Sequence, residues 1–260
     1  MVPNSTKEYS KLAKLYDTLM GDVDYESWAD YIDEIMQTHH KDPIDVMEAA
    51  CGTGSVLLSL AELECYRLTG TDKSAEMIEV AKQKVEESEY QIKLEPFSFR
   101  DLPYRNAFDC VYSVFDSVNY LHSEEELITS LETIRKTLKP NGLFIFDFST
   151  PKNSLQSVDH LNEAEGESGT LRYFRKSWFT PADKIHVNEF EIEELDLSTK
   201  KVISSWTETH RQRAYTLSEM LSILDQTSYH LVAKYDGFDL IEADENSARV
   251  TIVLRCQKTQ

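Results

Sequence analysis

The chain has 260 residues, enough to bury one substantial core without disulfides or a structural metal. Its 27 basic and 46 acidic residues give a formal charge of −19, which repels phosphate backbones, and no basic cluster offsets it. No apolar run approaches the roughly 18–20 residues that span a bilayer, and residues 1–10 carry no signal pattern, so a cytoplasmic protein with neither nucleic-acid nor membrane partners is expected.

In chain order, Leu12, Ala13, Tyr16, Leu19 and Met20, then Trp28, Tyr31, Ile32, Ile35 and Met36, predict two helices separated by residues 21–25. The period then changes. Residues 44–50 read as a short strand that ends in the turn Cys51, Gly52, Thr53, Gly54, after which Val56, Leu57, Leu60 and Ala61 share a helical face. A strand at 66–71 follows, then a helix capped by Ser74 with Met77, Ile78, Ala81 and Val85 turned inward, then strands near 92–97 and at 108–114. Ser123 and Glu126 have capping-box spacing before a helix whose inner face is Leu127, Ile128, Leu131, Ile134 and Leu138. Arg135, Lys136 and Lys139 suit its C-terminal end, Asn141 and Gly142 are read as its stop, and 143–148 as the fifth strand.

This alternation predicts an α/β, Rossmann-like, doubly wound and mostly parallel seven-stranded sheet. After Pro151 the character changes, because 171–179, 185–195 and 202–215 read as three successive strands forming a small antiparallel insert. Phe190 and Ile192 alternate there with Glu189, Glu191 and Glu193, one apolar face against one acidic. A helix at 217–224 and strands at 230–235 and 249–256 complete the sheet. The expected organisation is a main domain of 1–150 and 216–260, with 1–40 as a helical cap, and an insert or lid of 151–215. Cys51, Cys65, Cys110 and Cys256 have no paired spacing and are expected to be buried thiols; His39 and His40 lack further ligands, so no metal is expected.

Glycine at positions 52 and 54, where a strand turns into a helix, lets a ligand approach backbone amides and the helix N-terminus, although such a turn also serves packing alone. Asp72 ends the next strand 20 residues after Gly52 (72 minus 52), the separation at which a carboxylate reaches both hydroxyls of a ribose. Together they point to an adenosine-type cofactor. A pyrophosphate needs a third glycine, and Leu57 stands at that position, which favours a cofactor without phosphate.

On residues 48–54 and Asp72 the chain resembles the class I S-adenosylmethionine-dependent methyltransferases over nearly its whole length. Tyr16 and Asp17, residues 22–28 (DVDYESW), 116–121 (DSVNYL), 146–149 and 210–215 (HRQRAY) resemble a bacterial branch of small-molecule and amino-sugar N-methyltransferases and their uncharacterised relatives. The resemblance implies that Gly52 lies against the methionyl part, that Asp72 holds the ribose, and that Ser98 and Phe99 take the adenine. It also implies that Val114, Phe115 and Asp116 pass beneath the cofactor, that Tyr16 closes over the methionyl end, and that the insert forms a lid. Glu48, Ala50, Gly54, Lys73 and Met77 complete the expected cofactor site. Relatives carry aspartate where Ser98 stands, so the adenine contact falls either to the serine hydroxyl or to Asp101.

The implied activity is methyl transfer to nitrogen or oxygen of a small-molecule acceptor, mainly by alignment and desolvation; a homodimer is compatible with it. The alternatives are a protein or RNA methyltransferase, or a non-catalytic binder of the cofactor. Tyr16, Tyr120, His122, His210, Arg213 and Tyr215 are candidates for the open side, with Tyr16, Tyr120 and His210 expected to be catalytic. Tyr16 also reads as simple core, His122 as a loop-shaping residue and His210 as a satisfied buried histidine.

Overall fold

The computed structural model describes residues 4–257. Strands β2 (Asp45–Ala49), β3 (Arg67–Thr71), β4 (Lys93–Glu95), β5 (Phe108–Ser113), β6 (Leu138–Ser149), β11 (Tyr229–Asp236) and β12 (Arg249–Cys256) form one seven-stranded sheet in the order β11-β12-β6-β5-β2-β3-β4. Neighbours from β4 to β6 run parallel, while β12 is antiparallel to both β6 and β11. One reversed strand is thus wedged into an otherwise parallel sheet.

Because side chains alternate along a strand, Phe144, Phe146 and Phe148 of β6 point to one face while Leu143 and Ile145 point to the other. The first face packs against α5 (Glu124–Thr137) and α7 (Leu217–Leu224). The second packs against α2 (Tyr25–His39), α3 (Ser55–Ala61) and α4 (Ala75–Glu87). Truncating a side chain as enclosed as Phe146, 0% exposed, to alanine costs about 3–5 kcal/mol in such cores. Helices α2, α4 and α5 start where a side chain satisfies a free backbone amide: Asp24 accepts from Ser27 at 3.0 Å, Ser74 from Met77 at 3.1 Å and Ser123 from Glu126 at 3.1 Å.

The Ser123 box is not closed as its spacing predicts. Glu126 turns outward to accept the amide of His122 and to pair with Arg100, and the reciprocal arrangement occurs instead at Thr216 and Glu219. The fifth strand also starts earlier than 143. α5 ends at Thr137, and Leu138 already pairs with Phe108 before residues 139–142 bulge out, with Asn141 at φ 64°. The reason lies beneath the sheet. Lys139 reaches Asp45 at 2.7 Å and Asp109 at 2.9 Å, and a Cβ on Gly142 would sit 2.9 Å from the Asp109 carbonyl.

A second, five-stranded sheet has the order β1-β10-β9-β8-β7, built from β1 (Asn4–Ser5), β7 (Glu165–Ser168), β8 (Leu171–Thr180), β9 (Ile185–Leu195) and β10 (Val202–Arg213). β9 runs antiparallel to both β8 and β10, and β1 adds a parallel edge to β10. Pairing sets two rows across one face, Arg175–Phe190–Glu208 and Ser177–Asn188–His210. The first expected helix is split into a 3-10 turn (Leu12–Leu15) and the four-residue α1 (Tyr16–Leu19), because Leu12 and Leu15 are drawn against Tyr173, Phe190 and Ile192 of this sheet. α6 (Pro151–Leu161) and β7 escaped the sequence reading. Within α6 only Ser154 is fully buried while Leu155 is exposed, and β7 is largely exposed, so neither is a core element of the kind the apolar periods picked out. Cys65 is exposed in the loop after α3, unlike Cys110 and Cys256 in strands and Cys51 in the buried turn after β2.

Candidate active site

The site begins at the turn between β2 and α3. Ala50, Gly52 and Gly54 all have positive φ, at 61°, 54° and 75°, and the chain folds back so that the Gly54 amide meets the Cys51 carbonyl at 2.8 Å. Gly54 packs against α4, where a Cβ would meet Ala81 at 3.4 Å; it is absent from the cavity lining. Gly52 is the open glycine, with only the Tyr16 ring within 4 Å of a hypothetical Cβ, at 3.9 Å.

Asp72 faces this turn from the end of β3. Its Oδ2 accepts the Gly52 amide at 3.0 Å and its Oδ1 the Ser74 amide at 2.8 Å. Each oxygen keeps a second lone pair. Asp72 is thus both the acid at the turn and a brace for the Ser74 cap. Burial raises its pKa, opposed by those two amides and by Lys73. Glu48, 2% exposed on β2, accepts a bond from Tyr112 at 3.2 Å, and burial together with the Asp72 charge pushes its pKa well above the usual carboxylate range.

The N-terminal segment is pinned over the turn. Thr53 donates to Asp17 at 2.6 Å, and Lys84 bonds Asp17 at 3.0 Å and Ser55 at 2.7 Å. The cavity beneath, about 430 Å³, is lined by Tyr16, Glu48, Ala50, Gly52, Asp72, Lys73, Met77, Ser98, Phe99, Asp101, Val114, Phe115 and Tyr120. At its far end Ser98 donates to Asp101 at 2.7 Å, so the two candidates for the adenine edge form one unit. Its cations are committed, Lys73 to Glu8 and Arg100 to Glu126. Leu57 is 0% exposed in the core. A pyrophosphate therefore finds neither the third glycine nor a free cation, whereas a nucleoside with a cationic tail finds two buried carboxylates.

A second cavity, about 330 Å³, lies between the two sheets and shares Tyr9, Tyr16, Phe115 and Tyr120 with the first. On this shared wall the Tyr9 and Tyr120 hydroxyls are 2.6 Å apart, and Tyr120 lies 3.1 Å from His210 Nδ1. Burial raises the pKa of Tyr9, Tyr16 and Tyr120 well above the phenol range, which keeps all three neutral. Behind them His210 Nε2 stands 3.6 Å from Glu208 Oε2, both residues are buried, and neither atom has a hydrogen-bond partner among the described residues. The other Glu208 oxygen accepts the amide of Leu12 at 3.2 Å and that of Lys11, fastening the N-terminal segment to β10.

A family model described as "Methyltransferase domain" matches residues 46–142, which span the turn, Asp72 and β5. The Bacillus subtilis (strain 168) protein YqeM, a methyltransferase by name, is 26% identical over 255 residues, covering 96% of this chain and 98% of that one. The crystal structure of an S-adenosylmethionine-dependent methyltransferase from Clostridium acetobutylicum ATCC 824 superposes with a TM-score of 0.77 at 24% identity, covering 96% of this chain and 99% of that one. Residues 46–142 thus carry a methyltransferase domain, and the chain shares its fold with an S-adenosylmethionine-dependent methyltransferase. The sugar N-methyltransferase KedS8 from Streptoalloteichus sp ATCC 53650 shares the methyltransferase's fold, with a TM-score of 0.70 at 17% identity over 97% of this chain and 98% of that one.

Three open-side candidates of the methyltransferase lie outside both cavities. Tyr215 is 0% exposed and donates to the Leu121 carbonyl, Arg213 donates to the His122 carbonyl at 2.9 Å, and the His122 ring bonds the Arg211 carbonyl at 2.8 Å. All three knit the loop after β5 to β10. Tyr9, Arg175, Asn188 and Glu208 escaped the sequence reading. No motif or spacing marked them, since only cross-strand pairing and the docking of the N-terminal segment bring them together.

Proposed function

We propose that this methyltransferase acts on nitrogen or oxygen of a small-molecule acceptor held in the second cavity, with its cofactor in the first. S-adenosylmethionine supplies an electrophilic methyl on a sulfonium whose departure leaves a neutral thioether. Asp72, its carboxylate fixed by two amides and still carrying free lone pairs, holds the ribose hydroxyls. Glu48 and the carbonyls of 50–52 face the ammonium, which would stabilise the Glu48 carboxylate that burial disfavours. The Ser98–Asp101 pair meets the adenine edge, with the Phe99 amide beside it; Met77, Val114 and Phe115 supply apolar lining and Lys73 flanks Asp72.

On the acceptor side Tyr16, Tyr9 and Tyr120 exclude water and align the nucleophile, which is most of what a displacement at a sulfonium requires. His210 serves as the proton acceptor through Tyr120. Glu208 is a positioning residue: a carboxylate facing Nε2 favours the tautomer that leaves Nδ1 free to accept from the Tyr120 hydroxyl. The second sheet acts as the lid, supplying His210 and closing the acceptor cavity opposite the main sheet. The observation that carries the reading is the shared aromatic wall, because a methyl group crossing from one cavity to the other must pass it.

The test is to supply labelled S-adenosylmethionine to a cell extract with the protein and fractionate the product. Label is expected in the small-molecule fraction and not in protein or RNA. Label confined to either polymer contradicts the reading.

A further inference from the structure

The second cavity holds two guanidinium groups in opposite circumstances. Arg249 is clamped between carboxylates, Asp116 at 2.6 Å and Asp147. Arg175, on β8, has no carboxylate partner among the described residues. Its Nε and Nη2 both donate to the Asn188 amide oxygen, at 3.0 and 2.7 Å, its guanidinium carbon lies 5.3 Å from the centre of the Phe190 ring, and among the described residues Nη1 meets no acceptor. Arg175 is half-buried, and a charge partly withdrawn from water without a counter-charge is costly, so proteins tend to pair such groups or leave them for a ligand. This chain has 46 acidic residues to draw on, yet an asparagine stands where an aspartate would complete the pair. Glu208, in the same cross-strand row, is separated from Arg175 by Phe190 and turned to the N-terminal segment.

We infer that Arg175 is the subsite for an anionic group of the methyl acceptor, a carboxylate or a phosphate, with Asn188 fixing the guanidinium and His210, paired with Asn188 across the strands on the same sheet face, receiving the nucleophile together with Tyr120. The inference rests on the second cavity being the acceptor site, and it narrows the substrate class to small molecules bearing both a nucleophilic amine or hydroxyl and a negative charge. Burial depresses the Arg175 pKa, as expected of a cation with no counter-ion, and the Arg175 charge helps to depress that of His186 beside it.

The experiment titrates inorganic phosphate and, separately, acetate into the protein loaded with S-adenosylhomocysteine, following binding by calorimetry and NMR. Saturable binding of at least one anion is expected, weakened tenfold or more by Arg175→Gln and by Asn188→Asp, which supplies the missing carboxylate. Phosphate binding alone points to a phosphorylated acceptor, acetate binding alone to a carboxylate. Asn188→Asp decides the matter if Arg175→Gln does not fold. Absence of saturable anion binding to the wild-type protein, or binding unaltered in the folded variants, overturns the inference. S-adenosylhomocysteine affinity, expected to stay within twofold in both variants, is the separate readout: its loss in the wild-type protein would strike the cofactor assignment, and the anion titration can then be repeated on the unloaded protein.

Discussion

Asp72 Oδ2 accepts the backbone amide of Gly52 at 3.0 Å, so the acid at the end of one strand and the glycine at the end of its neighbour are locked in register before any ligand arrives. The second amide, from Ser74, fixes the other oxygen. This preorganisation gives the carboxylate its proposed grip on a ribose at little entropic cost.

Asp72→Ala is expected to weaken S-adenosylhomocysteine binding by about 1–3 kcal/mol, through loss of charge-assisted hydrogen bonds and of the brace on the turn. Calorimetry measures it; unchanged affinity would remove the ribose role.

Gly52→Ala separates conformational cost from contact. An alanine at φ 54° costs about 1–2 kcal/mol of stability, while its Cβ clears the Tyr16 ring at 3.9 Å, so the variant should fold. If the open side of the turn carries the methionyl part, affinity for S-adenosylhomocysteine falls at least about tenfold, about 1.4 kcal/mol. Urea denaturation and calorimetry report the two effects separately, and intact affinity would contradict that placement.

The strand-turn-helix around Gly52 and the spacing to Asp72 were legible because both are local: a short apolar run, two glycines and an acid at a fixed offset. The alternating strands and helices of the main sheet were legible for the same reason. The acceptor side was not. Arg175 and Asn188 meet across β8 and β9, Glu208 and His210 sit on one face of β10, and Tyr9 reaches them from a segment at the opposite end of the chain. Tyr215 and Arg213 misled in the opposite sense, since they close the same loop yet turn their side chains into packing and backbone contacts.

Glu208→Gln should lower kcat by about 10- to 100-fold on the acceptor once identified, within the range of general-base effects, while KM and S-adenosylhomocysteine affinity stay within about threefold. The glutamine amide faces Nε2 with a donor and reverses the favoured tautomer, so Tyr120 loses its acceptor. His210→Ala and Tyr120→Phe should lower kcat in parallel. Full turnover in all three would leave alignment as the whole mechanism.

Asp45 gives a prediction remote from the site. Arg67 first, and Lys139 next, hold its carboxyl down to about 2, below the ordinary value of 3.8. A carboxyl whose folded pKa is depressed stabilises the fold above its unfolded pKa, and that contribution fades as pH falls through the folded value. Discounted for the exposure of Arg67, Asp45→Asn should cost about 1 kcal/mol at neutral pH, the gap from wild type narrowing below about pH 4 toward pH 2. Urea denaturation across that range measures it, and cofactor affinity should not change. A gap that did not depend on pH would refute the electrostatic cause.

The central claim is that one nucleoside with a sulfonium tail lies between the glycine turn and Asp72, with its reactive end at the tyrosine wall. A crystal structure with S-adenosylhomocysteine tests it most directly. The ribose is predicted within hydrogen-bond distance of Asp72, the adenine at the Ser98–Asp101 end and the sulfur facing Tyr16 and Tyr120. Ligand found in another cavity, or bound with its sulfur turned away from that wall, would contradict the account.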